Sequence, residues 1–350
     1  MKNRLFRPFL TAIFIFVCLL FCKTINVAGQ SPKKLSKDAL ANLLAYKKSP
    51  HKLFIGYLVG DGNDPEASYN MLNVPDSVDI IEGFAGYDQN PDHWRALQAK
   101  GTRIVYCSFP KNDAYFDGSI KDPATREPGY VAPPNFDNTK ANASSTYNNW
   151  AKAMYNKYIR QMGWDGIDVD IERGTFGNDA PATNAVAVLT AVARYFGPNA
   201  EAGNLTNAGV KPLFLFDTDV DTKDSEPLSY GRIYTPYKSN YDYALFQCYV
   251  GGARRWKGSK VTELTPLLSA FGKDKLIVMT NGDEWLHQNG GQDSPPNGDT
   301  KATQWLLDIA KWTKENDTQG VAAYRMSRDY NHTPHFKVSR ESIQIMNPAK

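Results

Sequence analysis

Apolar residues gather along this chain in eight short runs, and several of the segments between them repeat apolar residues at helical spacing. The runs are "KLFIGYLVG" (52–60), "VDIIEGFA" (78–85), "RIVYCSFP" (103–110), "GIDVDIE" (166–172), "PLFLFDTD" (212–219), "YALFQCYV" (243–250), "LIVMTNG" (276–282) and "GVAAYRMS" (320–327). Their length and their β-branched and aromatic content predict buried strands. Helical patterns lie at "PDHWRALQAKG" after the second run, "STYNNWAKAMYNKYIRQMG" before the fourth, "ATNAVAVLTAVARYFG" after it and "DTKATQWLLDIAKWTKEN" before the eighth. Strands alternating with helices of this length predict βα units and a parallel sheet. Eight units predict a closed (β/α)8 TIM barrel, a single α/β domain. No GxGxxG follows the first run to support an open dinucleotide-binding sheet.

The first 29 residues follow a different pattern. Lys2, Arg4 and Arg7 precede the apolar run "PFLTAIFIFVCLLFC", and the small residues Val27, Ala28 and Gly29 come after it. That is the layout of an export signal, and the run is shorter than the ~20 residues of a membrane-spanning helix. The expectation is cleavage before Gln30 and a secreted, periplasmic or cell-surface protein without a membrane span. Bulky Val17 and Phe21, preceding Cys18 and Cys22, count against lipid anchoring through either cysteine. Residues 30–50 read as a lead-in helix and 51–350 as the barrel. Removing the leader takes away four cations and no acid, so a net charge of +3 becomes −1. No Lys/Arg stripe remains to bind nucleic acid. Cys107 and Cys248 each sit inside an apolar run, where two buried thiols are expected rather than a bridge.

Two polar stretches, 111–144 and 281–300, fall where loops should follow strands three and seven. Long loops in a compact domain are usually functional, and in a barrel the βα loops build the active-site face. Both are therefore assigned to substrate binding, with Trp285 in the second. The chain carries 7 Trp, 19 Tyr and 17 Phe, a store of flat faces suited to ring-shaped ligands as well as to a core. Asn142, Asn204, Asn316 and Asn331 stand in sequons, which matter only in a host that glycosylates.

The chemistry concentrates in "GWDGIDVDIERG", where Asp168, Asp170 and Glu172 alternate with Ile167, Val169 and Ile171. In a strand the apolar set faces the helices and the acids face the barrel axis. Like charges buried together are costly unless some are protonated, so their pKa values are pushed apart. Glu172, outermost, is placed to keep its proton as a general acid. A calcium loop is a poorer reading, because Arg173 stands where that loop needs Gly. Asp165 reads as a turn residue.

"DGIDVDIE" (165–172) resembles the DGxDxDxE signature of glycoside hydrolase family 18, the chitinases and endo-β-N-acetylglucosaminidases, at every fixed position. The resemblance implies a (β/α)8 barrel, no metal or organic cofactor, and a retaining hydrolysis in which the substrate's own acetamido group is the nucleophile. It further implies Glu172 as general acid/base, Asp170 as the holder of the acetamido N–H and Asp168 as support for Asp170. Strand six, "LFQCYVGG", is similar to the Q-x-Y of the endo-β-N-acetylglucosaminidases rather than the M-x-Y-D of the chitinases. It offers Tyr249 as acetamido partner and Gln247 as a further contact. The third strand lacks the SxGG of many chitinases, and Tyr324 stands on strand eight where they carry a Trp, as a loose counterpart able to stack on a sugar ring. The resemblance thus points to a monomeric endo-β-N-acetylglucosaminidase of the mannosyl-glycoprotein type, cutting between the two GlcNAc residues of an N-linked glycan. A chitinase is the alternative within the same chemistry. A sugar-binding barrel without activity is the alternative outside it, and the intact Glu172, Asp170 and Tyr249 argue against that one.

Overall fold

The side chains of each strand point alternately into and out of a closed barrel, and this alternation organises the molecule. The computed structural model describes residues 35–60, 64–110, 143–172, 175, 181–219, 237–249, 264–282 and 302–348. The expected export signal within residues 1–29, most of the stretches 111–144 and 281–300 read as loops, Trp285 and Asn142 lie outside them. In chain order the elements are α1 (Lys37–Lys48), β1 (Leu53–Leu58), α2 (Glu66–Tyr69), β2 (Ile80–Gly83), α3 (Pro91–Gln98), β3 (Arg103–Ser108), α4 (Ala143–Met154) and β4 (Gly166–Asp170). Then come α5 (Pro181–Ala193), β5 (Leu213–Thr218), β6 (Tyr243–Gln247), α6 (Thr265–Phe271), β7 (Leu276–Asn281), α7 (Ala302–Asn316), β8 (Gly320–Tyr324) and α8 (Lys337–Met346). Among the described residues no helix is long and apolar enough to cross a membrane.

All eight strands run parallel in the order β1 to β8, and β8 returns to β1 to close the barrel. The closing register sets Leu53 opposite Gly320 and Ile55 opposite Ala322. A Cβ on Gly320 would run into the Leu53 carbonyl oxygen, so the closure depends on the missing side chain. Gly320→Ala is expected to cost about 1–3 kcal/mol, the usual range for overpacking, with urea unfolding as the check. A variant as stable as the parent would mean that the closing strands separate freely.

Two apolar cores follow from the alternation. Outward-facing Ile167, Val169 and Ile171 of the β4 segment pack with Trp150, Met154 and Val188 of the surrounding helices. Inward-facing Ile55, Tyr57, Ile80, Cys107, Leu215 and Met279 fill the barrel. Cys107 therefore faces the axis and Cys248 the helical layer. Both thiols are free, as expected for groups on opposite sides of one sheet.

Local signals start the helices where the sequence suggests. Ser36 caps α1 by accepting from Ala39 N, and Asn90 caps α3 by accepting from Asp92 N at 3.0 Å ahead of Pro91. The helix expected before the fourth strand is broken in kind. After Met154 it continues as a π-helical segment, Tyr155–Gln161, with Met162 N donating to Lys157 O. From that wider turn Tyr158 stacks on Tyr106 at 3.9 Å between ring centroids. Nothing in the apolar spacing distinguishes such a turn from α-helix.

The amino mouth of the barrel is occupied by α1. Lys47 Nζ and His51 Nε2 both meet Asp79 Oδ1, at 3.1 and 2.9 Å, and the other oxygen of Asp79 accepts from Phe54 N. A hollow of about 440 Å³ lies here, larger than the one at the other mouth. Its central charged groups are spent on one another, so size does not nominate it as the working site. Asp165 also belongs to this end, where it accepts from Gln98 Nε2 and Ile104 N and ties the strand starts together.

Candidate active site

The acid row of β4 emerges at the opposite, carboxyl mouth. Asp168 and Asp170 are buried in the strand, and half-buried Glu172 lies two residues past its paired end. Ile171 N still donates to Asp217 O at 2.9 Å, which carries the alternation one step beyond the strand and turns Glu172 to the same side. Register places Asp217 of β5 directly beside Asp170, and Cys107 of β3 beside Asp168.

Two donors hold the row. Tyr57 of β1 meets Asp168 Oδ2 at 2.8 Å and Asp217 Oδ2 at 3.2 Å. Gln247 of β6, itself buried, aims Nε2 at Asp170 Oδ1 (3.2 Å), Glu172 Oε1 (3.1 Å) and Asp217 Oδ2 (3.2 Å). Gln247 thus bridges Asp170 and Glu172, two of the three acids singled out in the sequence, to Asp217. Tyr249 and Tyr324 form a stacked pair, centroids 5.8 Å apart and planes 12° from parallel, with Phe84 edge-on to Tyr324. Together with Asp170, Glu172 and Gln247 they line a small cleft of about 120 Å³.

Of the residues named from sequence, Asp168, Asp170, Glu172, Gln247, Tyr249 and Tyr324 come together here, and Trp285 lies outside the described residues. Sequence reasoning missed Tyr57, Glu82, Asp217 and Phe84. The first three have a signal in hindsight: each is a polar atom on the inward period of an apolar strand, Glu82 sharing a face with Ile80, and Asp217 with Leu213 and Leu215.

Burial raises every carboxyl of the row, and the neighbours decide by how much. Glu172 is held above its ordinary value first by burial; the Gln247 hydrogen bond opposes this and the charge of Asp219 adds to it. Asp170 is pushed well up by burial and by the charges of Asp217, Glu172 and Asp168. Asp217 is raised likewise by burial, Asp168 and Glu172. Asp168 is pushed only to about 6, because hydrogen bonds from Glu82, Tyr57 and Cys107 offset its burial. Folded-state values above unfolded ones mean that the fold binds these protons more tightly. The row's contribution to stability is therefore full below the ordinary carboxylate range and is lost as pH rises, for Asp168 through about 6. Asp217→Asn, which keeps an acceptor and removes a charge, is expected to raise the melting temperature at pH 8 by roughly 3 °C or more while leaving it little changed at pH 4. Scanning fluorimetry at both pH values checks this, and an equal shift at both would contradict it.

Asp168, Asp170 and Glu172 line one face of an extended segment rather than wrapping a turn. Glu82, Cys107 and Asp168 do bring three potential ligand atoms within 4.8 Å of one another. Burial holds that thiol well above its ordinary value, and the charges of Asp168, Asp170 and Glu82 add to this.

An acid row at the carboxyl mouth of a parallel barrel, with stacked aromatic faces beside it, is an arrangement that suits a glycoside hydrolase of the (β/α)8 class. The endo-β-N-acetylglucosaminidase EndoS TIM-barrel domain model matches residues 51–320, and the chain belongs to that family. The chain is 26% identical over 352 aligned positions to endo-β-N-acetylglucosaminidase F2 of Elizabethkingia meningoseptica, spanning 92% of this chain and 90% of that protein. A crystal structure of endo-β-N-acetylglucosaminidase from Cordyceps militaris shares its fold, with TM-score 0.60 and 24% identity, and covers 91% of this chain and 98% of its own. A doubly substituted form of that enzyme, solved in complex with fucosyl-N-acetylglucosamine-Asn, matches at TM-score 0.60 and 21% identity over 91% and 98% of the two chains. A family 18 chitinase from Pseudoalteromonas aurantia matches at TM-score 0.50 and 11% identity over 83% and 99%.

Proposed function

We propose that the chain hydrolyses the β-1,4 bond between the two GlcNAc residues of the N-linked glycan core, with retention, through an oxazolinium formed by the substrate's own acetamido group. The observation that carries this is Gln247 Nε2 joining Asp170 and Glu172 at 3.2 and 3.1 Å beneath the Tyr249–Tyr324 pair. One small pocket thereby offers a proton donor, an acceptor for an amide N–H and a hydroxyl for an amide oxygen. Membership of the EndoS barrel family and the likeness to the Elizabethkingia enzyme support the chitobiose core over chitin as substrate. The Cordyceps complex supports it too, since fucosyl-N-acetylglucosamine-Asn is what such a cut leaves behind.

The chemistry follows from the positions. Glu172, half-open to the cleft and with its pKa raised by burial, gives its proton to the leaving glycosidic oxygen. The acetamido oxygen attacks the anomeric carbon as that bond breaks, and Asp170 accepts the amide N–H whose acidity rises as the ring closes. Tyr249 steadies the acetamido oxygen. Glu172, now ionised, takes a proton from water, which opens the oxazolinium on the same face and so retains the configuration. The basic leader and apolar run within 1–29 support action outside the cytoplasm. Mass spectrometry of a glycoprotein bearing mixed N-glycans, run beside a chitin oligosaccharide, tests the reading. A single GlcNAc left on asparagine is expected, and cleavage of chitin alone would overturn it.

A further inference from the structure

The proposed mechanism gives no role to Glu82, a buried acid behind the row. Glu82 stands in β2 opposite Tyr57 of β1 and Val105 of β3, fully buried. Its carboxyl faces Asp168, and with Cys107 Sγ the three groups bring atoms within 4.8 Å of one another. As two anions they would be an unmatched pair. The Glu82 carboxyl meets Asp168 and the Tyr57 hydroxyl, and among the described residues no cation is placed against either acid.

The donors nearby are already committed. Tyr57 has one O–H, shared between Asp168 Oδ2 at 2.8 Å and Asp217 Oδ2 at 3.2 Å. Gln247 has two N–H bonds and three carboxyls to serve. The contact between Glu82 and Asp168 becomes a hydrogen bond only when a proton lies between them, because like charges in contact cannot both ionise in a buried site.

We propose that Glu82 carries a proton that it donates to Asp168, fixing Asp168 as the anion that receives the Tyr57 hydroxyl, and that Glu82 is thereby a positioning residue for the acid row. The proposal rests on reading Asp168, Asp170 and Glu172 as that row. The groups that face Glu82 are Tyr57 from β1, Cys107 from β3, Asp168 from β4 and Asp217 from β5, and the charges of the two aspartates favour the proton staying on it. Asp168, pushed only to about 6, is the member of the pair that ionises. Asp168 is then satisfied by Glu82, Tyr57 and Cys107, donors other than Asp170. Asp170 is left to Gln247 and, in turn, to the acetamido N–H.

The test compares two substitutions of similar size in the full-length protein. Glu82→Gln keeps a donor toward Asp168 and is expected to hold kcat within about threefold of the parent. Glu82→Leu removes the donor and is expected to lower kcat by about 30-fold or more with KM within about threefold, the signature of a lost transition-state arrangement. The second readout needs no substrate. Infrared difference spectra at pH 7 between parent and Glu82→Gln should show one protonated carboxyl lost and no carboxylate lost. A lost carboxylate, a metal ion bound one to one in the purified parent and released by Glu82→Gln, or full activity in Glu82→Leu would each overturn the proposal. If the parent turns over no N-glycan, the proposed function fails while the infrared result still decides where the proton sits. If Glu82→Leu does not fold, Glu82→Gln and its spectrum decide alone.

Discussion

Glu172→Gln is expected to lower hydrolysis of an N-glycopeptide by about 10³-fold or more while leaving glycan binding within severalfold of the parent. General acid catalysis supplies roughly 10²–10⁴ in rate, and an amide has no proton of suitable acidity to give. The substitution preserves the local geometry, because a glutamine carbonyl can accept the Gln247 hydrogen bond that Glu172 Oε1 receives at 3.1 Å. Turnover of a labelled glycopeptide and calorimetric titration of the same ligand separate the two effects. The parent's alkaline limb belongs to the same group: kcat should fall as pH rises through the value to which burial has raised Glu172. Substantial hydrolysis by the variant would remove Glu172 from the acid role.

Asp170→Asn is expected to slow hydrolysis of the glycopeptide by about 10²-fold, comparable with removing one preorganised electrostatic partner of a transition state. An added sugar oxazoline should remain a usable donor. The two outcomes separate formation of the intermediate from its consumption. Asp170 is buried beside Asp217 and takes a hydrogen bond from Gln247, and the N–H of the forming oxazolinium is the positive partner that its carboxylate balances. Asparagine fills the space and accepts a hydrogen bond but cannot become the balancing anion. Hydrolysis at the parent rate would contradict the substrate-assisted route, whereas a parallel loss with the oxazoline donor would point to general damage in the pocket.

Much of this arrangement was legible in the sequence, for physical reasons. A buried parallel strand needs a nearly unbroken apolar run, so all eight strands were visible, with ends up to three residues inside the runs. Asp168 and Asp170 stood out because charge on alternate positions of such a run is costly without a purpose, and Gln247 and Tyr249 carried a recognisable spacing. Glu82 and Asp217 did not stand out. A single acid in an apolar run has the same appearance whether it caps a strand or faces the axis, and its partners come from strands that only barrel closure brings together. Tyr57 was hidden for a different reason, since its ring belongs to the inner core and only its hydroxyl to the site. The π-helical segment after Met154 left no trace, because a widened turn keeps nearly the same apolar period.

Proton NMR of an N-glycopeptide followed from the first minutes of digestion, with the peptide product weighed from the same tube, reads both the stereochemistry and the position of the cut. The account predicts that the newly freed reducing GlcNAc appears first as the β-anomer and that one GlcNAc stays on the peptide. An α-anomer appearing first, or a peptide carrying no GlcNAc or two, would contradict it.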